Sequence, residues 1–177
     1  MSIPLVFDMT PTLINRTAIY HIARDSAVAA GGDVSKYRFG YELKESWDLP
    51  EREQARLQKD AIQFIFKGAS TPRQRHGNYR LFYFDPLYVL WEMPQPSDVV
   101  LVLDLTTITN PEWHEPAVVQ RYWEAYELAL RSECQFAAIS HNTALAMWAN
   151  FGVPLDEITV VPLYTRTAFS RPDTTAE

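Results

Sequence analysis

The 177-residue chain has one cysteine, six glycines and no apolar run of membrane-spanning length. Cys134 has no partner for an internal disulfide, and a single thiol excludes a multi-cysteine zinc site. A reducing compartment fits that usage, and a cytoplasmic location is expected. The longest apolar runs, such as VVLVL at residues 99–103, fall far short of the roughly 20 residues of a membrane span. No transmembrane segment is therefore expected. The N-terminal MSIPLVFDMT has no basic segment ahead of its apolar run and does not read as a signal peptide. Basic charge is also scarce, with 16 Lys and Arg against 22 Asp and Glu and a net charge of −6. Proteins that live on phosphate backbones carry the opposite sign, so nucleic acid is not an expected partner. The few glycines form neither G-x-G-x-x-G nor a P-loop, which removes a backbone cradle for a diphosphate. No His, Cys, Asp or Glu cluster has ligand spacing, so no metal is expected.

What is present is apolar: 47% hydrophobic residues against 21% charged exclude disorder for most of the chain. Residues 3–8 (IPLVFD) read as a buried strand ending in a loop at Asp8, Thr10 and Pro11. Residues 17–30 show helical spacing at Ile19, Ile22, Ala23, Ala27 and Ala30, stopped by Gly31 and Gly32. Residues 36–43 alternate Tyr37, Phe39 and Tyr41 against Lys36, Arg38 and Glu42, which reads as one strand with a wet face. Pro50 and two glutamates open a helix over residues 50–67 that Gly68 ends. Residues 69–79 form a basic loop with Arg73, Arg75 and His76. Residues 80–93 read as a strand through Phe84, a break at Asp85-Pro86 and a short buried helix.

The second half alternates more plainly. Residues 98–104 are a continuous apolar run, the mark of a strand buried on both faces. A twelve-residue loop follows, of a length that is often functional. Residues 117–131 form a helix with Val118, Val119, Tyr122, Trp123, Tyr126 and Leu130 on one stripe. Residues 135–139 are a buried strand, Ser140 caps a helix running to Phe151 with Gly152 beyond it, and residues 158–162 are the last strand. Strands alternating with helices predict an α/β fold: one doubly wound, mainly parallel sheet of five or six strands. In such sheets ligands lie outside the carboxyl ends of the strands, where strand order reverses. That rule selects Asp8-Met9-Thr10, Asp104 to Thr107 and Ser140-His141-Asn142.

The order of motifs in the second half carries a resemblance. Asp104 ends a strand, Pro111-Glu112-Trp113 sits in the loop beyond it, and Ser140 ends the next strand. Gly152-Val153-Pro154 and Val160-Val161-Pro162-Leu163 follow, and LVFDMTPTLI opens the chain. This series resembles the family 4 glycosyltransferases over roughly two-thirds of the chain. The resemblance implies a GT-B enzyme, in which two Rossmann-like domains face a cleft, and it matches the N-terminal, acceptor-side half. Residues 1–166 would be that domain, and residues 167–177 a polar tail or the start of an interdomain linker. The implied reaction is transfer of sugar from a nucleotide sugar to a saccharide acceptor with retention, in surface polysaccharide synthesis. No cofactor is expected in this chain, and the nucleotide-sugar donor is expected only with a second domain. The implied partners are a saccharide acceptor and a donor-binding domain or chain, with self-association as the alternative. One departure is Leu103, where the family has a His before the Asp. Leucine relays no proton, which keeps open a non-catalytic interaction or regulatory domain built on the same fold.

The candidate catalytic residues are Asp104 and His114, the latter because histidine carries protons near neutral pH. The candidate acceptor-binding residues are Thr10, Arg16, Thr106 and Ser140, with Arg16 suited to a phosphate or uronic acid carboxylate. For Asp104 a loop-capping role stands beside the functional one, and for Ser140 a helix cap does. Arg73, Arg75, His76 and Arg80 form the one basic cluster, to be read as a peripheral membrane contact or a solvated loop. The aromatic stretch Phe82, Tyr83, Phe84, Tyr88 and Trp91 reads first as core, and an isolated half of a two-domain protein is expected to expose an apolar docking face in part of it or at Tyr164 and Phe169.

Overall fold

The computed structural model describes residues 3–34, 36–66 and 72–163. Gly68, Tyr164, Phe169 and the tail lie outside the described residues. Seven strands form one sheet: β1 (Leu5–Asp8), β2 (Lys36–Phe39), β3 (Glu42–Lys44), β4 (Arg80–Tyr83), β5 (Val99–Val102), β6 (Gln135–Ala138) and β7 (Ile158–Val160). Their order is β3-β2-β1-β4-β5-β6-β7. Every neighbouring pair is parallel except β2 and β3. The fold is therefore α/β with a mixed, mostly parallel sheet. From β1 the chain builds outward to β2 and β3, then returns to the other side of β1 and builds β4 through β7. The order reverses between β1 and β4.

Helices alternate with the strands: α1 (Pro11–Ile14), α2 (Ala18–Ala30), α3 (Glu51–Phe66), α4 (Thr106–Thr109), α5 (Pro116–Arg131) and α6 (His141–Phe151). Local chemistry sets their ends. Pro116 occupies the first turn of α5, where no N–H is needed. The Ser140 hydroxyl accepts from the Thr143 N–H at 3.1 Å, and Gly152 ends α6 at φ +72°. The single strand expected at 36–43 is instead a hairpin, turned at Gly40 and Tyr41. Gly40 has φ +62°, and a Cβ there would stand 2.7 Å from the Trp91 ring, so glycine is required on two counts. The expected wet face fails with it, because Tyr37, Arg38 and Phe39 are all buried. The twelve-residue loop after β5 also carries structure, in α4 and a 3-10 turn over Pro111–Trp113. On α5 the buried residues are Arg121, Ala125, Tyr126 and Ala129, and Trp123 from the expected stripe stands exposed.

The core includes a seam of paired charge. Asp8 Oδ2 accepts from Arg38 Nη2 at 2.8 Å, and both side chains are all but fully buried. Arg38 also donates to the Tyr88 carbonyl at 3.1 Å. Burial works against the Arg38 cation, but Asp8, Tyr83 and Glu92 more than offset it and hold the guanidinium charged. Asp98 accepts from Arg75 Nη1 at 2.8 Å, Leu81 N at 2.7 Å and Gln95 N at 2.9 Å, and pairs with Arg75 Nη2 as well. The basic cluster expected at 73–80 is thereby corrected. Arg75 is a buried core residue, Arg73 lies 3.8 Å over the Tyr41 ring, and only His76 and Arg80 stand simply exposed. Among the described residues, no helix is long and apolar enough to cross a membrane.

Candidate functional site

A cleft of about 380 Å³ opens where β4 and β5 end. Its wall includes Asn15 and Thr17 from the turn before α2, and Asp85 just past β4. Asp104, Thr106 and His114 line it after β5, and Tyr122 from α5. It therefore lies at the carboxyl end of the sheet, beside the strand-order reversal, where parallel sheets place ligands. A groove of about 500 Å³ near Glu133, Cys134 and Gln135 is larger, but it meets β6 at its amino end. The Cys134 thiol is held near 12 by burial, so it is no nucleophile at neutral pH.

Asp85 is the most perturbed carboxyl in the cleft. It follows a buried aromatic strand, and Pro86 turns the chain so that the carboxylate stays at the strand end. Its Oδ1 accepts from the Leu87 N–H at 2.9 Å, and the Tyr122 hydroxyl lies 3.2 Å from both carboxylate oxygens. Burial raises its pKa to about 6, against the lowering effect of those two donors, and the charges of Asp8 and Asp104 push the same way as burial. The Tyr122 hydroxyl is raised well above its ordinary value by burial and by Asp85, so it remains a proton donor. No lysine or arginine lines the cleft among the described residues. A half-buried carboxyl that titrates near neutrality, with a tyrosine hydroxyl against it, can accept a hydrogen bond from a substrate hydroxyl and exchange its proton.

The sequence-selected residues separate into those at the cleft and those built into the fold. Asp104 is exposed at the cleft, and its Oδ1 accepts from Thr106 N at 2.9 Å and Thr106 Oγ1 at 2.7 Å. Asp104 therefore closes the turn into α4 with one oxygen, while its Oδ2 takes no hydrogen bond among the described residues. Thr106 lines the cleft with its hydroxyl already committed to Asp104. His114 lines it too, and its Nε2 is shielded from solvent with no hydrogen-bond partner among the described residues. Trp113 beside it is 69% exposed. Thr10 is elsewhere: it is fully buried, with Oγ1 donating to Asp8 and accepting from Gly40 N at 2.8 Å. It pins the hairpin to β1 and offers no surface to a ligand. Ser140 caps α6, and Thr143 ties that cap to the Leu103 carbonyl at 3.2 Å. Arg16 lines a separate small crevice with Tyr20 and Arg24.

Asp85 and Tyr122 were missed in the sequence, as were Asn15 and Thr17. The strand-end rule that selected Asp104 selects Asp85 equally, once residues 80–84 are treated as a strand of the central sheet rather than as part of an aromatic block. Tyr122 carried no such signal, because a tyrosine on a helical stripe reads as core. Among the described residues, no three His, Cys, Asp or Glu side chains are grouped to hold a metal ion. Comparison of the chain with protein-family models, curated proteins and solved structures found no match.

Proposed function

We propose that this chain is the acceptor-side, Rossmann-like half of a retaining GT-B glycosyltransferase, acting in surface polysaccharide synthesis. In this reading the sheet is one doubly wound unit, the cleft binds a saccharide, and the nucleotide sugar binds a second domain in the same polypeptide or another. The observation that carries the reading is the chemistry of the cleft wall. Asp85 and Asp104 offer carboxylate oxygens, Asn15 and Thr17 neutral polar groups, and no arginine or lysine joins them among the described residues. Such a wall suits the hydroxyls of a sugar, which donate to carboxylates. It repels a diphosphate, which needs cations or helix dipoles, and that fits a donor held elsewhere. The motif order of the resemblance points the same way.

The test is titration of the isotopically labelled chain with neutral mono- and disaccharides, followed by amide shifts. Saturable shifts at Asn15, Thr17, Asp104 and His114, weakened at least tenfold by Asp104→Asn, are expected. Shifts that map away from the cleft, or none across the panel, overturn the reading.

One observation favours the second reading, a non-catalytic interaction domain derived from the same fold. Leu103 lines the cleft next to Asp104, at the position where the resembled family carries its histidine. Pull-down from the native host separates the two. A donor-binding partner whose addition gives sugar transfer supports the enzyme, and saccharide binding without transfer supports the interaction domain.

A further inference from the structure

We propose that Arg16 and Arg24 form an oxyanion subsite beside the cleft, taking the phosphate or carboxylate of a charged saccharide. The proposal rests on the saccharide reading of the cleft and names its substrate class. Tyr20 and Arg24 lie four residues apart on α2 and share one side of it, while Arg16 precedes the extended Thr17 cap and reaches the same side through the Tyr20 ring. The Arg16 guanidinium carbon lies 4.5 Å from the Tyr20 ring centre. The Arg24 carbon lies 5.3 Å from Tyr20 and 4.8 Å from Trp47, and Arg24 Nη1 donates to the Tyr20 hydroxyl at 2.8 Å. Aromatic faces thus hold both guanidinium groups, which leaves N–H edges for an oxyanion, the geometry arginine serves best.

These two cations differ from those that serve the fold. Arg38, Arg56, Arg75 and Arg121 each have a carboxylate within 4 Å. Arg16 and Arg24 form no ion pair among the described residues, and unlike Arg52, Arg73, Arg80 and Arg131, which also form none, they line one crevice together. The crevice they line, with Met9, Phe39 and Gln54, holds about 80 Å³, room for one oxyanion group and not for a sugar ring. Asp48 is the one carboxylate on its wall, and it is exposed.

The crevice also adjoins the cleft through the chain itself. Asn15 and Thr17 line the cleft, and Arg16 between them lines the crevice. Asn15 Oδ1 accepts from Thr17 N at 2.8 Å, which fixes this turn. A sugar in the cleft would place an anionic substituent against Asp85 and Asp104 if it pointed inward. Pointed across the 15–17 turn, the same substituent meets two guanidinium groups that form no ion pair among the described residues.

The experiment compares binding of glucose, glucose 1-phosphate and glucuronate to the full chain, to R16Q, to R24Q and to the double variant, with inorganic phosphate as a separate probe of the arginine side-chain N–H signals. At least tenfold tighter binding of one or both charged sugars than of glucose is expected. Each substitution should remove most of that preference, and the same change at exposed Arg52, R52Q, should keep it. The larger of the two charged arms identifies phosphate or carboxylate as the group. Equal affinity for all three sugars, or a preference that survives in the double variant, overturns the proposal. If no sugar binds but phosphate saturably moves the Arg16 and Arg24 signals, the oxyanion site stands and the saccharide cleft falls. If phosphate moves them no more than it moves exposed Arg52, the oxyanion site falls.

Discussion

Two carboxylates in this molecule lie deep in the seam and two lie at the cleft, and the fold treats them differently. Asp8 and Asp98 are fully buried and each meets a buried arginine, Arg38 and Arg75. Asp85 and Asp104 end their strands in the open cleft, and no cation faces them among the described residues. The first pair is neutralised by the chain itself. The second keeps hydrogen-bonding capacity that the fold does not use, and unused capacity at the carboxyl end of a parallel sheet is what a ligand site requires. The difference teaches how to separate structural from functional acid residues: by whether the fold completes their partners.

The largest effect is expected at the seam. Asp98→Ala leaves Arg75 buried and uncompensated and removes acceptors from Leu81 and Gln95. A loss of about 3–5 kcal/mol is expected from uncompensated burial of the partner charge, read by urea denaturation. Gly40→Ala strikes the same region through the backbone. It forces a side chain to a positive φ and drives Cβ into Trp91, with an expected loss of roughly 2–4 kcal/mol.

At the cleft the sign reverses. The folded pKa of Asp85, about 6, is above the value of about 4 in an unfolded chain. The folded state therefore holds this proton more tightly than the unfolded state. The destabilisation is absent below about pH 4, grows as pH rises toward 6, and is complete above that. Asp85→Asn keeps an acceptor for Leu87 and removes the charge. It should stabilise the protein by about 1–2 kcal/mol at pH 7.5 and by nothing at pH 4, measured as paired melting curves.

The smallest effect is expected where charges are paired but exposed. Glu42 is drawn to about 2 by its hydrogen bonds with Arg56 and Lys44, and Arg56 meets it at 2.6 Å. Arg56→Ala should still cost under about 1 kcal/mol, because solvent screens the pair and ordering the side chains offsets it. A loss as large as that of Asp98→Ala would mean that burial does not divide the two classes.

Much of the fold was legible because local rules governed it. The Ser140 cap, the Gly152 terminus and the Pro116 start each depend on a residue or two at a helix end. The apolar run in β5 marked a central strand without further information. The misread arginines share one physical origin, which is pairing at long sequence separation. Arg38 reads as solvent-facing because its partner, Asp8, lies thirty residues away. Arg75 reads as part of a basic loop because Asp98 lies beyond β4. Arg121 is buried on α5, over the Phe64 ring of α3 at 4.9 Å, while Trp123 from the expected stripe is exposed. Asp104, Thr106 and His114, selected by the strand-end rule and by residue chemistry, line the cleft. Asp85 obeyed that rule too but was hidden in an aromatic block. Thr10 and Ser140 were selected by position, and their hydroxyls turned out to be engaged by the hairpin and by α6.

The most direct measurement is the titration of the Asp85 carboxyl carbon by NMR, in the wild-type chain and in Asp104→Asn. The account predicts a midpoint near 6 that falls when the Asp104 charge is removed and moves again when a saccharide fills the cleft. A midpoint near that of a free aspartate, about 4, indifferent to Asp104 and to sugar, would contradict it. Asp85 would then be one more carboxylate whose partners the fold and solvent already supply.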